Sequence, residues 1–273
     1  MPRDLADVLH YFIPELGSDP GSIDRPRPEA PAASSPRPHS PHLPAALPLI
    51  GVPIGDRDVV RAAFTWNLVV EVARLGGRTA LVTPSASATS PLWPAPGTGP
   101  VGSEVIFAEV ADLGQLYRAA LDIAVDRAAE AESGGLIFVR VPPTWLRKAA
   151  DSGNLLRWML LFTSADSRDL LETYGIAKIL LGLHSSARVG VTVHGASEIP
   201  QAEQAFARLA RCSERHLGRD LSSYGLLVDD LHVYRAIAAQ RPIGLAHPQS
   251  PAAKALRDVA HMLLADAREL TIR

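Results

Sequence analysis

Leu49-Ile50-Gly51-Val52-Pro53-Ile54-Gly55-Asp56-Arg57-Asp58-Val59-Val60-Arg61 is the stretch on which the fold turns. An apolar, strand-like run leads into a short polar turn, and a long amphipathic pattern over 58–75 follows it. Strand, turn and helix in that order open a βαβ unit, and the turn stands where such units receive an anion at a helix N-terminus. This turn does not have the glycines that let backbone N–H groups wrap a phosphate. It carries Asp56 and Asp58 instead, whose charge opposes one.

Downstream the same alternation repeats. Apolar runs bounded by turn signals cover 47–53, 79–83, 104–108, 135–141, 158–163, 188–193 and 224–228. Helical patterns cover 58–75, 111–131, 167–183, 198–217, 233–238 and 251–267. Strands that are apolar throughout, with helices between them, predict an α/β fold: a mainly parallel, doubly wound sheet of about seven or eight strands, covered on both faces. Residues 85–102 are rich in Ser, Pro and Gly and read as a long surface loop. No internal repeat is present.

The first 48 residues hold 11 of the 23 prolines. Residues 17–46 lack the apolar content to offset their ordering entropy and read as a disordered linker with polyproline character. Ahead of it, Leu5, Val8, Leu9, Phe12 and Ile13 fall on one helical face, with Asp4 placed to cap the helix and Pro14 to end it. A helix of about ten residues is marginal alone in water, so this one needs a surface to dock on. Two destinations remain open, a groove on another protein or the chain's own domain. Asp4 and Asp7 on its polar face argue against a membrane surface. The expected organisation is therefore a docking helix over 1–16, a linker over 17–46 and an α/β domain over 47–273.

Composition narrows the function. Lys and Arg number 27 against 29 Asp and Glu, a net charge of −2, which offers no electrostatic footprint for nucleic acid. One cysteine, Cys212, excludes an internal disulfide framework and points to a reducing cytoplasm. No secretory leader and no apolar run of bilayer length is present, so any membrane contact would be peripheral, through recruitment by partners.

Three stretches carry a resemblance to a known family. They are Asn67-Leu68 with Glu71-Val72-Ala73-Arg74-Leu75-Gly76-Gly77-Arg78-Thr79-Ala80-Leu81-Val82; Thr163-Ser164-Ala165-Asp166-Ser167 with 169–178; and the region from Ala202 to Leu263, including His216-Leu217-Gly218, Gln240-Arg241-Pro242 and Pro248-Gln249-Ser250-Pro251. With the order of elements, they make the chain resemble the MinD/ParA group of ATPases from Leu47 onward, most closely the flagellar-number regulators of the MinD branch (FlhG/FleN type).

The resemblance implies where nucleotide groups would lie. The family's GKGGVGKTT falls on 55–63: Gly55 is kept, Asp56 stands at the signature lysine, Arg57 and Asp58 replace glycines, Arg61 stands at the phosphate-binding lysine and Ala62 at the magnesium-binding threonine. Arg140 takes the place of the acid in the family's DTPPG turn, where a cation would repel magnesium. His194 takes the place of a base-contacting asparagine. On this alignment the chain is expected to be a catalytically inactive MinD-like protein, not an enzyme, with no cofactor. It would be a scaffold or regulator in the placement of a bacterial motility or envelope machine. Its partners would be another protein held by the N-terminal helix and, by the family's habit, a second copy or a MinD-like relative. The segment Asp4-Leu5-Ala6-Asp7-Val8-Leu9 matches the family's partner-stimulating D-Q-A-x-x-L only as D-x-A-x-x-L. Two other readings remain open: a regulatory anion or nucleotide site built on Arg61 and Arg140, and an accessory role in secretion or polysaccharide export.

Other clusters read more plainly. His39 and His42 lie in the linker without a further ligand, so no metal site is expected. Asp229-Asp230 with His232 reads as a turn or helix cap. Cys212, near Leu209 on a helical pattern, reads as a small core filler. The last helix is expected to end near 267, with no membrane-targeting tail after it.

Overall fold

The computed structural model describes residues 45–272 apart from 86–89, 91 and 150–153. The N-terminal segment with Leu5, Val8, Leu9, Phe12 and Ile13, the linker up to residue 44, and His39 and His42 lie outside the described residues. The elements are β1 (Leu49–Pro53), α1 (Val59–Arg74), β2 (Arg78–Pro84), β3 (Gly97–Thr98), β4 (Glu104–Ala108), α2 (Leu113–Ala128), β5 (Gly135–Val141) and β6 (Trp158–Thr163). They continue with α3 (Ser167–Leu183), β7 (Arg188–Ala196), α4 (Ile199–Leu217), β8 (Ser222–Val228), α5 (Leu231–Ala238), α6 (Ile243–Ala246) and α7 (Pro251–Ile272).

The eight strands form one sheet in the order β3-β4-β2-β5-β1-β6-β7-β8. Every pairing is parallel except β3 with β4. The expected α/β architecture is therefore what the chain adopts. Its physical basis is visible in β5 and β6, where every residue is buried, because helices cover both faces. From β1 the chain first winds toward β2 and later returns through β6, β7 and β8 on the other side. Right-handed crossovers in opposite directions place helices on opposite faces. Accordingly α1 packs against α7 on one face, and α3 packs against α4 on the other.

Aspartates start four of the helices. Asp58 accepts from the N–H of Arg61, Asp112 from Gln115, Asp166 from Arg168 and Asp169, and Asp230 from His232. Each such cap contributes about 1 kcal/mol. The cap reading of Asp230 holds. At Gly51 in β1 a side chain would meet the thioether of Met159 in β6, so the glycine leaves the Met159 side chain its present place against the central strand.

Three local expectations are corrected. The 85–102 stretch is not simply a surface loop: it contains β3, and Trp93 within it is 4% exposed. Cys212 is exposed and is no core filler. The buried stripe of α4 runs Ala202, Ala205, Phe206, Leu209, Ser213, stepping by four after Leu209 and leaving position 212 outside. The last helix runs to Ile272 rather than ending near 267.

Candidate functional site

The carboxyl ends of β1, β2, β5, β6 and β7 meet at one end of the sheet, and winding reverses direction at β1. Open parallel sheets place their ligand crevice at such a point. Two clusters of charge occupy it.

The first is built on Arg140 of β5. Its side chain is 1% exposed, yet it is an arginine in a strand that is otherwise apolar. Its Nε donates to the Ile54 carbonyl at 3.2 Å, Nη1 donates to Thr83 Oγ1 at 3.5 Å, and Nη2 donates to the Asp56 carboxylate. Trp93 closes the cluster: its ring lies 4.5 Å from the guanidinium, and its Nε1 donates to the Asp56 carbonyl at 3.1 Å. Burial lowers the Arg140 pKa from its usual value, and the hydrogen bond and charge of Asp56 work in the opposite direction.

The second cluster is built on Arg61 of α1. Nη2 bonds Asp169 at 2.9 Å, Nη1 lies 3.2 Å from Asp58 and 3.8 Å from Glu172. Asp169 also accepts from the Ser164 N–H at 3.2 Å. Burial pushes the Asp169 carboxyl up, but Ser164, Arg61 and His194 together outweigh it and the net direction is down. His194, in β7, has its Nε2 3.8 Å from Asp169 and packs its ring 5.5 Å from that of Phe64. Burial, helped by Arg61, lowers its pKa against the pull of Asp169 and Asp58, so the ring is held neutral.

The turn between β1 and α1 closes on itself. Asp58 N–H donates to the Gly55 carbonyl at 3.1 Å, and the Asp58 side chain takes the Arg61 N–H at 3.0 Å. No residue from Gly55 to Asp58 has positive φ. The Arg61 donor at this helix N-terminus is thus used by the protein's own carboxylate, and an incoming anion has to displace it.

The predicted positions therefore gather, but not as one site. Asp56 joins Arg140, while Asp58 and Arg61 join His194 through Asp169. Gly55 and the exposed Arg57 belong to the turn, and Ala62 is buried in α1. Arg61 and Arg140 share no carboxylate. Arg140 is not the loop cation its motif position suggested, because β5 carries it inside the sheet end. Sequence reasoning missed Trp93, Thr83, Asp169 and Glu172. The signal for Asp169 was the run of acids from Asp166 to Glu172 directly after a strand. Trp93 had none beyond being a bulky residue among prolines. Among the described residues no group of three or more His, Cys, Asp or Glu could hold a metal ion, and no helix is long and apolar enough to cross a membrane.

No protein-family model matches the chain, and no curated protein does. Solved structures do. The MinD cell division protein of Aquifex aeolicus superposes with a TM-score of 0.59 at 12% identity, covering 80% of this chain and 97% of its own. In its complex with MinC the values are 0.56, 15%, 80% and 96%. The chain has the MinD/ParA fold. The septum site-determining MinD of Pyrococcus horikoshii, solved with Mg-ADP, matches at a TM-score of 0.56 and 13% identity over 79% of this chain and 95% of that one. A ParA-family ATPase from Chlorobium tepidum matches at 0.52 and 11% over 80% and 99%.

These neighbours overturn one expectation, that the chain is no enzyme. The proteins that share its fold include an ATPase and a magnesium–nucleotide complex. Missing motif letters in a short turn do not by themselves measure activity.

Proposed function

We propose that this MinD/ParA-fold chain is a regulator that works by binding another protein, engaged through the helix at residues 1–16, in the placement or control of a bacterial motility or envelope machine. The observation that carries the reading is that both charge clusters at the sheet end are paired internally, Arg140 with Asp56 and Arg61 with Asp58 and Asp169. A crevice held together by its own ion pairs keeps the surrounding loops in one arrangement without a bound anion. Partner binding then does not need a nucleotide to order this end of the sheet. Measuring partner affinity with and without ATP or ADP and magnesium tests this. The expected result is an unchanged affinity on adding nucleotide and its loss on deleting residues 1–16. A shift of about tenfold or more with nucleotide, a coupling of about 1.4 kcal/mol, overturns the reading.

A second reading has its own observation. Arg140 is buried, while its carboxylate partner Asp56 is 49% exposed and sits on a turn. An oxyanion that fits the guanidinium fork could replace it. Isothermal titration with nucleotides and inorganic anions tests this. Micromolar binding that disappears in Arg140→Met would establish the reading, and heats unchanged by the substitution would remove it.

A further inference from the structure

The opposite end of the sheet holds a groove of about 550 Å³ beneath the N-terminal ends of β1 and β6. Leu49, Tyr117, Leu121 and Leu270, all half-buried, form its apolar walls, and Arg157 and Arg188 are exposed at its rim. Among the described residues no acidic side chain lines it. Arg188 reaches the buried Asp266 at 3.6 Å, so Arg157 is the rim cation better placed to meet a visitor.

The described chain begins at Ala45, and Ala46, Leu47, Pro48 and Leu49 are themselves part of the groove lining. The chain therefore enters the described domain at this rim. Residues 3–15 carry Asp4, Asp7 and Glu15 against Arg3, a net charge of −2 with His10 neutral. They also carry the apolar stripe of Leu5, Val8, Leu9, Phe12 and Ile13, which matches the groove in chemistry as the acids match its rim in sign.

We propose that residues 4–15 dock into this basal groove of their own chain, apolar stripe inward, and so withhold from a partner the face that the regulator reading assigns to it. The inference rests on that reading for its consequence but not for the contact. The 29 residues from 16 to 44 form the tether. Between the limits of a flexible coil and an extended polyproline chain they span roughly 30–90 Å, enough to reach the groove and to hold the segment at up to about millimolar effective concentration. Even a contact of millimolar intrinsic strength is then substantially occupied. Partner binding becomes a competition between two grooves for one helix face.

Disulfide trapping in the full chain tests the contact. In a Cys212→Ser background, Leu9→Cys is combined with Leu121→Cys in the basal groove. The control pairs it with Leu92→Cys, which is exposed beside the apolar pocket formed with Trp66 and Pro242. The expected result is an intrachain disulfide forming about tenfold faster with Leu121→Cys than with Leu92→Cys. Arg157→Glu should slow it, and adding Asp4→Arg with Asp7→Arg should restore it. Equal rates at both positions, a faster reaction at Leu92→Cys, or disulfides only between chains would overturn the proposal. Titration of a partner with the synthetic 1–16 peptide reads the regulator hypothesis separately, so either can fail alone.

Discussion

The two ends of the sheet each hold a buried polar network, and they are built in opposite ways. At the carboxyl end the buried groups are cations, Arg140 and Arg61, and their counter-charges Asp56, Asp58 and Asp169 come from the turn after β1 and the start of α3. At the amino end the buried group is an acid, Asp266 of α7, held by Tyr224 of β8. The Tyr224 hydroxyl donates to it at 2.6 Å and accepts from Trp158 Nε1 at 3.2 Å. Burial first, then the charge of Asp266, pushes the Tyr224 phenol well above its usual value. All three of these residues sit inside regular elements. A network between regular elements can be lost only by unfolding, whereas one that depends on a turn can exchange partners. An anion is therefore expected to act on the carboxyl-end network, while the amino-end network serves as a fixed support beside the basal groove.

The comparison can be broken most directly at Asp56. Asp56→Ala leaves Arg140 buried without its carboxylate and should cost about 3 kcal/mol in urea unfolding, the lower part of the range for half-broken buried pairs because water reaches the Asp56 side. Adding Arg140→Met should recover most of that loss, since removing both charges removes the imbalance. A small cost for Asp56→Ala would mean that the turn is not held by this pair.

Tyr224→Phe comes next. Losing the hydrogen bond to the buried Asp266 carboxylate and the acceptor of Trp158 Nε1 should cost about 2–3 kcal/mol, with no change in any anion titration at the far end. An altered titration would show that the two ends are coupled and undo the division of labour.

Smaller effects appear with pH. Burial pushes the half-buried Asp258 carboxyl of α7 up to about 6, with Arg257 pulling it back. The folded state then holds this proton to higher pH than the unfolded chain. This contribution is most favourable in acid and fades as pH rises from about 4 to 6. Asp258→Asn should remove that fade and add about 1 kcal/mol at pH 7, after discounting for its exposure to water. His194 has the opposite sign. Its lowered pKa means the unfolded chain takes up the proton first, so stability should drop as pH falls below about 6.5. The loss should grow toward pH 5.5 and be absent in His194→Gln. Identical pH profiles for the wild type and His194→Gln would show that the His194 pKa is not lowered by folding.

How much of this was legible beforehand follows the same division. The strands β5 and β6 could be read because nearly every position is apolar, and the helices because their apolar positions repeat at helical spacing, with aspartates at the boundaries that the structure shows to be caps. Those are local signals. The Arg140–Asp56 pair joins residues 84 positions apart, and Trp93 reaches it from a segment whose prolines and serines read as loop. Nothing local marks such a meeting. The Cys212 misreading came from one step of helical phase, since a residue three after Leu209 and one four after it face different surroundings.

The sheet's two margins carry a last consequence. β3 is only two residues long, and β8 pairs with β7 through a register broken at two places. A margin that short, or that irregular, is a poor template for a further strand. Ribbon-like growth by strand addition is therefore disfavoured at both margins, which shifts any self-assembly of the described domain toward its helices and loops.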